Sequence, residues 1–328
     1  MRHETLLELA DGHGVRLPEG LREGWPELVR RGLDATDERG WFRFQRLYDA
    51  ARAVVRSESD VRRLVTEAAV DDQREGSGWL EIQVDPSGYA GLFGGVTAFT
   101  DLVLDAVRDA AAATGVGMAV VIAANRTRHP LDGRTLARLA AQYAGRGVVG
   151  FGLSNDERRG VTEEFAPAFA IARRAGLLSV PHGGELLGPH TVRACLDVLG
   201  ADRVGHGVRA VEDPALLDRL AAAGTTLEVC PASNVALGVW HRLQDVPLPA
   251  LRSAGIAMAL GADDPLLFGS RLVDQYETAR TVHGFDDAAL AGLARDSIRG
   301  SAAPSDIRER LLRGVDDWLA RPPTPISR

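Results

Sequence analysis

Lysine is missing from all 328 residues, so every one of the 38 basic side chains is an arginine. Any metal pair bridged by a carbamylated lysine is thereby excluded, and a metal site in this chain is expected to be mononuclear. Cysteine is nearly as scarce. Cys195 and Cys230 are the whole complement, too few for a disulfide scaffold or a cysteine-based zinc finger, which points to a reducing, cytoplasmic compartment. No stretch of about 18 uninterrupted apolar residues occurs, and the opening MRHETLLELADGHG has no apolar core, so neither a membrane span nor an export signal is expected. A basic excess is also lacking. The net charge of −7 and pI near 5.7 argue against a phosphate-backbone partner and favour a small molecule over nucleic acid.

What is present is an ordinary globular composition, 45% hydrophobic and 25% charged, in a length that suits one (β/α)8 barrel. Leu6, Leu7 and Leu9 sit at helical spacing before Gly12 and Gly14, and residues 41–70 read as helix. From Gly78 the pattern becomes short apolar runs, each closed by a polar turn and followed by a helical stretch: WLEIQVDP, GMAVVIAANR, VVGFGLSNDE, LLSVPHGGE, DRVGHG, TLEVCPASN and IAMALGADDP. These are seven candidate strands. Helices are expected over residues 100–113, 133–143, 162–175 and 191–199, and such alternation implies a parallel sheet. The chain is read as one domain over residues 1–320, with a helical insertion at about 20–75 and a frayed Pro-rich tail at 321–328.

The strand ends carry residues able to do chemistry. His182 and Glu185, His206, and Asp263 with Asp264 close three different strands, and on a barrel these would converge at one mouth. Histidine and aspartate can bind zinc through nitrogen and oxygen, while a nearby glutamate can move protons. The competing reading is that they are buried polar residues satisfying strand ends, with the paired aspartates capping the next helix. Arg126 is expected either to bind a substrate acid group or to be solvated or ion-paired, and Cys230 to be a packed thiol.

The runs PHGGE, RVGHG, CPASN and GADDP, with SNDE before them, resemble in order and spacing the successive motifs of the adenosine deaminase family, a group of zinc-dependent hydrolases on TIM barrels. The resemblance implies that His182 and Asp263 bind one Zn2+, that Glu185 protonates purine N1, that His206 orients and deprotonates the attacking water, and that Asp264 hydrogen-bonds N7. Asn155 and Gly184 are expected near the bound purine, Asn155 at a position many members fill with glycine. Asp263 and Asp264, as neighbours on a strand, are expected to point to opposite faces. The implied reaction is hydrolytic deamination of a 6-aminopurine, adenosine or the menaquinone precursor aminodeoxyfutalosine, with adenine as a third candidate. ERGWFRFQRLYDAAR and SNDERRG look most like chains acting on aminodeoxyfutalosine. The cytidine-deaminase signature of H-x-E and P-C-x-x-C is missing.

Family members begin with a strand bearing a His-x-His pair of zinc ligands. Nothing of the kind precedes MRHETLLELA, and His3 and His13 flank a helix and are read as surface residues. The expectation is therefore a barrel lacking its first strand, weak in zinc as the sequence stands, with the native chain starting upstream. The alternative is a silent purine-binding paralogue.

Overall fold

All seven apolar runs become parallel strands in the computed structural model, which describes residues 1–22 and 38–321. They are β1 (Trp79–Val84), β2 (Gly117–Asn125), β3 (Val148–Ser154), β4 (Leu178–Gly183), β5 (Arg203–His206), β6 (Thr226–Val229) and β7 (Met258–Leu260). They hydrogen-bond in chain order, every pair parallel, so each connection must cross back through a helix. The helix Val96–Thr114 shows how the sequence writes these crossovers. Phe99, Leu102, Val103, Ala106, Val107 and Ala110 are buried on one face, and Gly115 at φ 76° closes the last turn with its N–H on Ala111 O, a left-handed cap that glycine adopts without a Cβ penalty.

The sheet curls on itself. Arg203 of β5 reaches across the interior to Glu81 of β1, Nη2 to Oε2 at 2.6 Å, and its Nε lies 3.0 Å from Glu228 of β6. Burial works against the Glu81 carboxylate, but Arg203 and the N–H donors of Trp79 and Ala302 outweigh it and hold its pKa below the ordinary value. Strands one and five can meet this way only around a common axis. The architecture is therefore that of a (β/α)8 TIM barrel in which, among the described residues, no strand lies between β7 and β1. Central β2 is buried on both faces, whereas β1 is partly open along its length, as an edge strand must be. The apolar core falls into one cluster outside β1–β4, containing Phe151 and Phe169 in edge contact, and a second outside β5–β7 around Leu216, Leu220, Leu227 and Met258. Each such side chain contributes roughly 1.5–3 kcal/mol on full burial.

Several expectations are corrected. The stretch 162–175 is two pieces, a 3-10 turn Thr162–Phe165 and the helix Ala166–Arg174, because Pro167 cannot donate in its first turn. His3 and His13 are half-buried and bonded, not free on the surface: His3 Nε2 lies 2.8 Å from Leu21 O, and His13 Nε2 lies 2.8 Å from Asp60 Oδ2. Strand β7 ends at Leu260, so Asp263 and Asp264 stand in the following loop and strand alternation does not govern them. The expected insertion contains the helices Glu19–Arg22, Glu38–Arg52 and Glu58–Arg74; its residues 23–37 and the tail residues 322–328 lie outside the described residues. No described helix is long and apolar enough to cross a membrane.

Candidate active site at the carboxyl ends of the strands

One cavity of about 1310 Å³ runs beside β1 from Trp79 and Arg203 to the carboxyl ends of the strands, where Asn155, His182, Glu185, His206, Asp263 and Asp264 all line it. β4 delivers His182, the turn after it Glu185, β5 His206, and the loop beyond β7 the two aspartates. The structure brings three of these around His206. Its Nε2 lies 3.5 Å from Glu185 Oε1 and 3.8 Å from Asp263 Oδ2, and its ring centroid is 5.0 Å from that of His182. Ser233 Oγ donates to Asp263 Oδ2 at 2.6 Å, and the side-chain amide of Asn234 meets His206 Nδ1 at 3.2 Å.

Backbone strain marks the same place. Among the described residues only Asn155 (φ 80°), His206 (φ 62°) and Asp263 (φ 55°) are non-glycine residues in the left-handed region. Each such residue costs on the order of 1–3 kcal/mol, and the surrounding fold holds them there. Asp264 precedes the short helix Pro265–Phe268 but makes no side-chain cap. Its carboxyl is thus not engaged in helix capping.

Burial sets the protonation states. The Glu185 carboxyl is pushed up to about 7, chiefly by burial and further by Asp263 and Glu157. Asp264 is likewise raised to about 7, by burial and then by Asp263 beside it. Burial, His206 and Arg126 all lower His182, which stays neutral, the form in which imidazole binds metals. For His206 burial opposes the charged form, yet Glu185 and Asp263 prevail and raise its pKa. The His206–Glu185 pair thus retains a proton near neutrality.

A metal is compatible with these donors. His182 Nδ1 is buried without a hydrogen-bond partner, and a Cβ at Gly205 would fall 2.7 Å from that atom, so only glycine leaves the ring its place. Ligand atoms of His206, Cys230 and Asp263 lie within 4.8 Å of one another, and a nitrogen, oxygen and sulfur donor set is one that zinc accepts. Burial, with Asp263 next, raises the Cys230 thiol well above its ordinary value, which disfavours the thiolate a metal needs.

Other residues play parts that the motifs did not announce. Arg126 is 1% exposed and forms no ion pair among the described residues, so the solvated or ion-paired alternative does not hold; it donates to Thr162 Oγ1 at 3.1 Å and to His182 O at 2.6 Å, pinning the strand that carries His182. Gly184 is not among the cavity-lining residues; its N–H donates to Glu157 Oε1 at 2.6 Å and Thr191 Oγ1 at 2.9 Å. Glu157, quoted only as part of SNDE, takes four main-chain N–H bonds from that turn. Its place just past a strand end, in the run that also carries Asn155, was the signal that could have singled it out.

A TIM barrel whose mouth gathers two histidines, a raised glutamic acid and paired aspartates defines the class of metal-dependent hydrolases. Within that class the adenosine deaminase family model matches residues 1–318, and the chain belongs to this family. A Streptomyces coelicolor protein provisionally named adenosine/adenine deaminase is 66% identical over 319 residues, 97% of this chain and 93% of the relative. An adenine deaminase of Agrobacterium fabrum is 36% identical over 95% of this chain and 93% of its own length. The crystal structure of adenine deaminase from Arthrobacter aurescens superposes with a TM-score of 0.87 at 29% identity, covering 97% of this chain and 95% of that one. The protein is a metal-dependent hydrolytic deaminase.

Proposed function

We propose that the protein deaminates a 6-aminopurine by zinc-dependent hydrolysis, releasing ammonia and the 6-oxo product, with a nucleoside-type substrate, adenosine or aminodeoxyfutalosine, ahead of free adenine. The observation that carries this reading is the approach of Glu185 and Asp263 to His206, at 3.5 and 3.8 Å, on the wall of one cavity. One zinc ion, for which His182 and Asp263 are the proposed ligands, would supply the Lewis acidity that makes hydroxide available at neutral pH.

The chain's own residues do the rest. Ring nitrogens N1 and N7 of a 6-aminopurine are hydrogen-bond acceptors, so a carboxyl facing either must carry a proton. Burial provides it: Glu185 and Asp264, both raised to about 7, can donate to N1 and N7 respectively. Protonation at N1 makes C6 electrophilic, and His206 takes the proton of the attacking water. Asn234 sets the imidazole for that task. Its Oδ1 is buried without a partner, and turning the amide over would place Oδ1 against Nδ1–H, leaving Nε2 free as a base. Asn155, just past the end of β3 and beside the strand that carries His182, is a further proposed purine contact.

The names of the Agrobacterium and Arthrobacter relatives favour adenine as a second reading. Ammonia release from adenosine, aminodeoxyfutalosine and adenine, measured side by side with the zinc-supplemented protein, ranks the candidates. Turnover of none of the three overturns the proposal.

A further inference from the structure

The helix Glu38–Arg52 carries a stripe that no role above uses. Trp41, Phe44, Tyr48 and Arg52 recur at steps of three and four residues, so they share a face, and all four line the cavity. Phe44 stacks on Phe268, centroids 5.6 Å apart, tying the stripe to the segment just after Asp264. The stripe ends in a cation. The Arg52 guanidinium lies over the rings of Tyr48 and Tyr89, 5.4 and 5.0 Å from their centroids. Contact through ring faces leaves in-plane N–H donors for another partner.

No described residue supplies that partner as an ion pair. Among the described residues Arg52 forms no ion pair, and its bonded neighbour is the Tyr89 hydroxyl. Two acids interact with it through space without forming an ion pair: Asp85 at the end of β1, which accepts instead from the N–H and hydroxyl of Ser87, and Asp264. Space for the guanidinium is built in: a Cβ at Gly88 would fall 1.8 Å from Arg52 Nη2. A half-buried cation in the wall of a substrate cavity, ion-paired to none of the described carboxylates, matches a ligand that brings an anion.

We propose that Arg52, framed by Tyr48 and Tyr89, anchors an anionic group carried by the substrate beyond its purine ring, so that the substrate is a 6-aminopurine nucleoside bearing a carboxylate or a phosphate. This rests on the deaminase reading and narrows it, since adenine and adenosine offer a cation nothing.

The test is equilibrium binding of three product-like probes, inosine, inosine 5′-monophosphate and inosine 5′-carboxylate, to the intact zinc-supplemented chain and to its Arg52→Met and Arg52→Lys variants. The readout is the ratio of affinities within each protein, so a partial loss of folded material cancels. Wild type is expected to bind one of the anionic probes at least roughly tenfold tighter than inosine, as a charge-assisted bond implies. Arg52→Met should bring the ratio close to one and Arg52→Lys keep part of it. Whichever anion wins identifies its chemistry. Equal binding of all three probes by wild type, or an unchanged ratio in Arg52→Met, overturns the anchor, as does binding of none. If adenosine is still deaminated in that case, the anchor alone has failed; if no 6-aminopurine is turned over, the deaminase reading has failed with it.

Discussion

Glu157 holds Glu185 in place: the carboxylate of the first accepts the main-chain N–H of the second at 3.0 Å, together with those of Gly184, Leu186 and Leu187 at 2.6–2.7 Å. One buried acid thus serves as the frame on which another is presented to the cavity. Replacing Glu157 by Gln keeps the shape but weakens four charge-assisted bonds. We expect Glu157→Gln to lower kcat by roughly 10- to 100-fold with a smaller change in KM, and to lower Tm, because the acid is misplaced and not removed. A loss in KM alone would show that the turn serves only binding.

The protonation of Glu185 gives a pH signature. With its pKa raised to about 7, the acid form that donates to N1 disappears as pH rises through that value. The rate should fall on the alkaline side of about pH 7, and Glu185→Gln should abolish that limb together with at least roughly 100-fold of kcat. A pH–rate profile unchanged in shape by the substitution would contradict the assignment.

The same shifts carry a stability cost of defined sign. Glu185 and Asp264 have folded-state pKa values above those of an unfolded chain, roughly 4, so the folded protein binds more protons than the unfolded one between the two values. Stability is then fully present below about pH 4 and lost as pH rises through about 7. In metal-stripped protein, Asp264→Asn should melt a few degrees above wild type at pH 8, a gap that narrows toward pH 5, while the zinc-supplemented variant loses deamination. Thermal melts across that range check it. A lower melting point at pH 8 would mean that the carboxylate is stabilised by partners.

Metal retention separates two ligand sets. If His182 and Asp263 are ligands, His182→Ala and Asp263→Ala should each lower bound zinc and activity together, and Cys230→Ser should leave the zinc content near that of wild type. Loss of zinc in Cys230→Ser would favour the grouping of His206, Cys230 and Asp263. Gly205→Ala, whose Cβ would press within 2.7 Å of His182 Nδ1, should weaken zinc retention without removing a donor. Metal analysis after dialysis against a chelator reads all four variants.

Asn234 is argued to act through His206. Asn234→Ala, which removes the group facing Nδ1, should reduce kcat by about 10- to 100-fold and shift the pH profile while KM changes little. A general loss of folded protein would not move the profile.

Periodicity and punctuation made the barrel legible before any coordinates. Runs such as GMAVVIAAN are apolar on both faces and stop at polar turns, and each became a strand because a parallel strand is buried on both sides. The motif residues His182, Glu185, His206, Asp263, Asp264 and Asn155 all line one cavity, because each lies at the carboxyl end of a strand or within a few residues beyond it. Periodicity said less about partners. It could not show that Glu157 supports Glu185 across 28 residues, that Arg126 pins His182 across 56, or that Arg52 comes to rest over Tyr89 from a different element. A side chain's own pattern reports whether it is buried, whereas the group opposite it is chosen by how the strands curl and which loops meet at their ends. The local sequence therefore determined the elements and the chemistry they carry; the tertiary fold alone decided which charges face one another, and so which acids keep their protons.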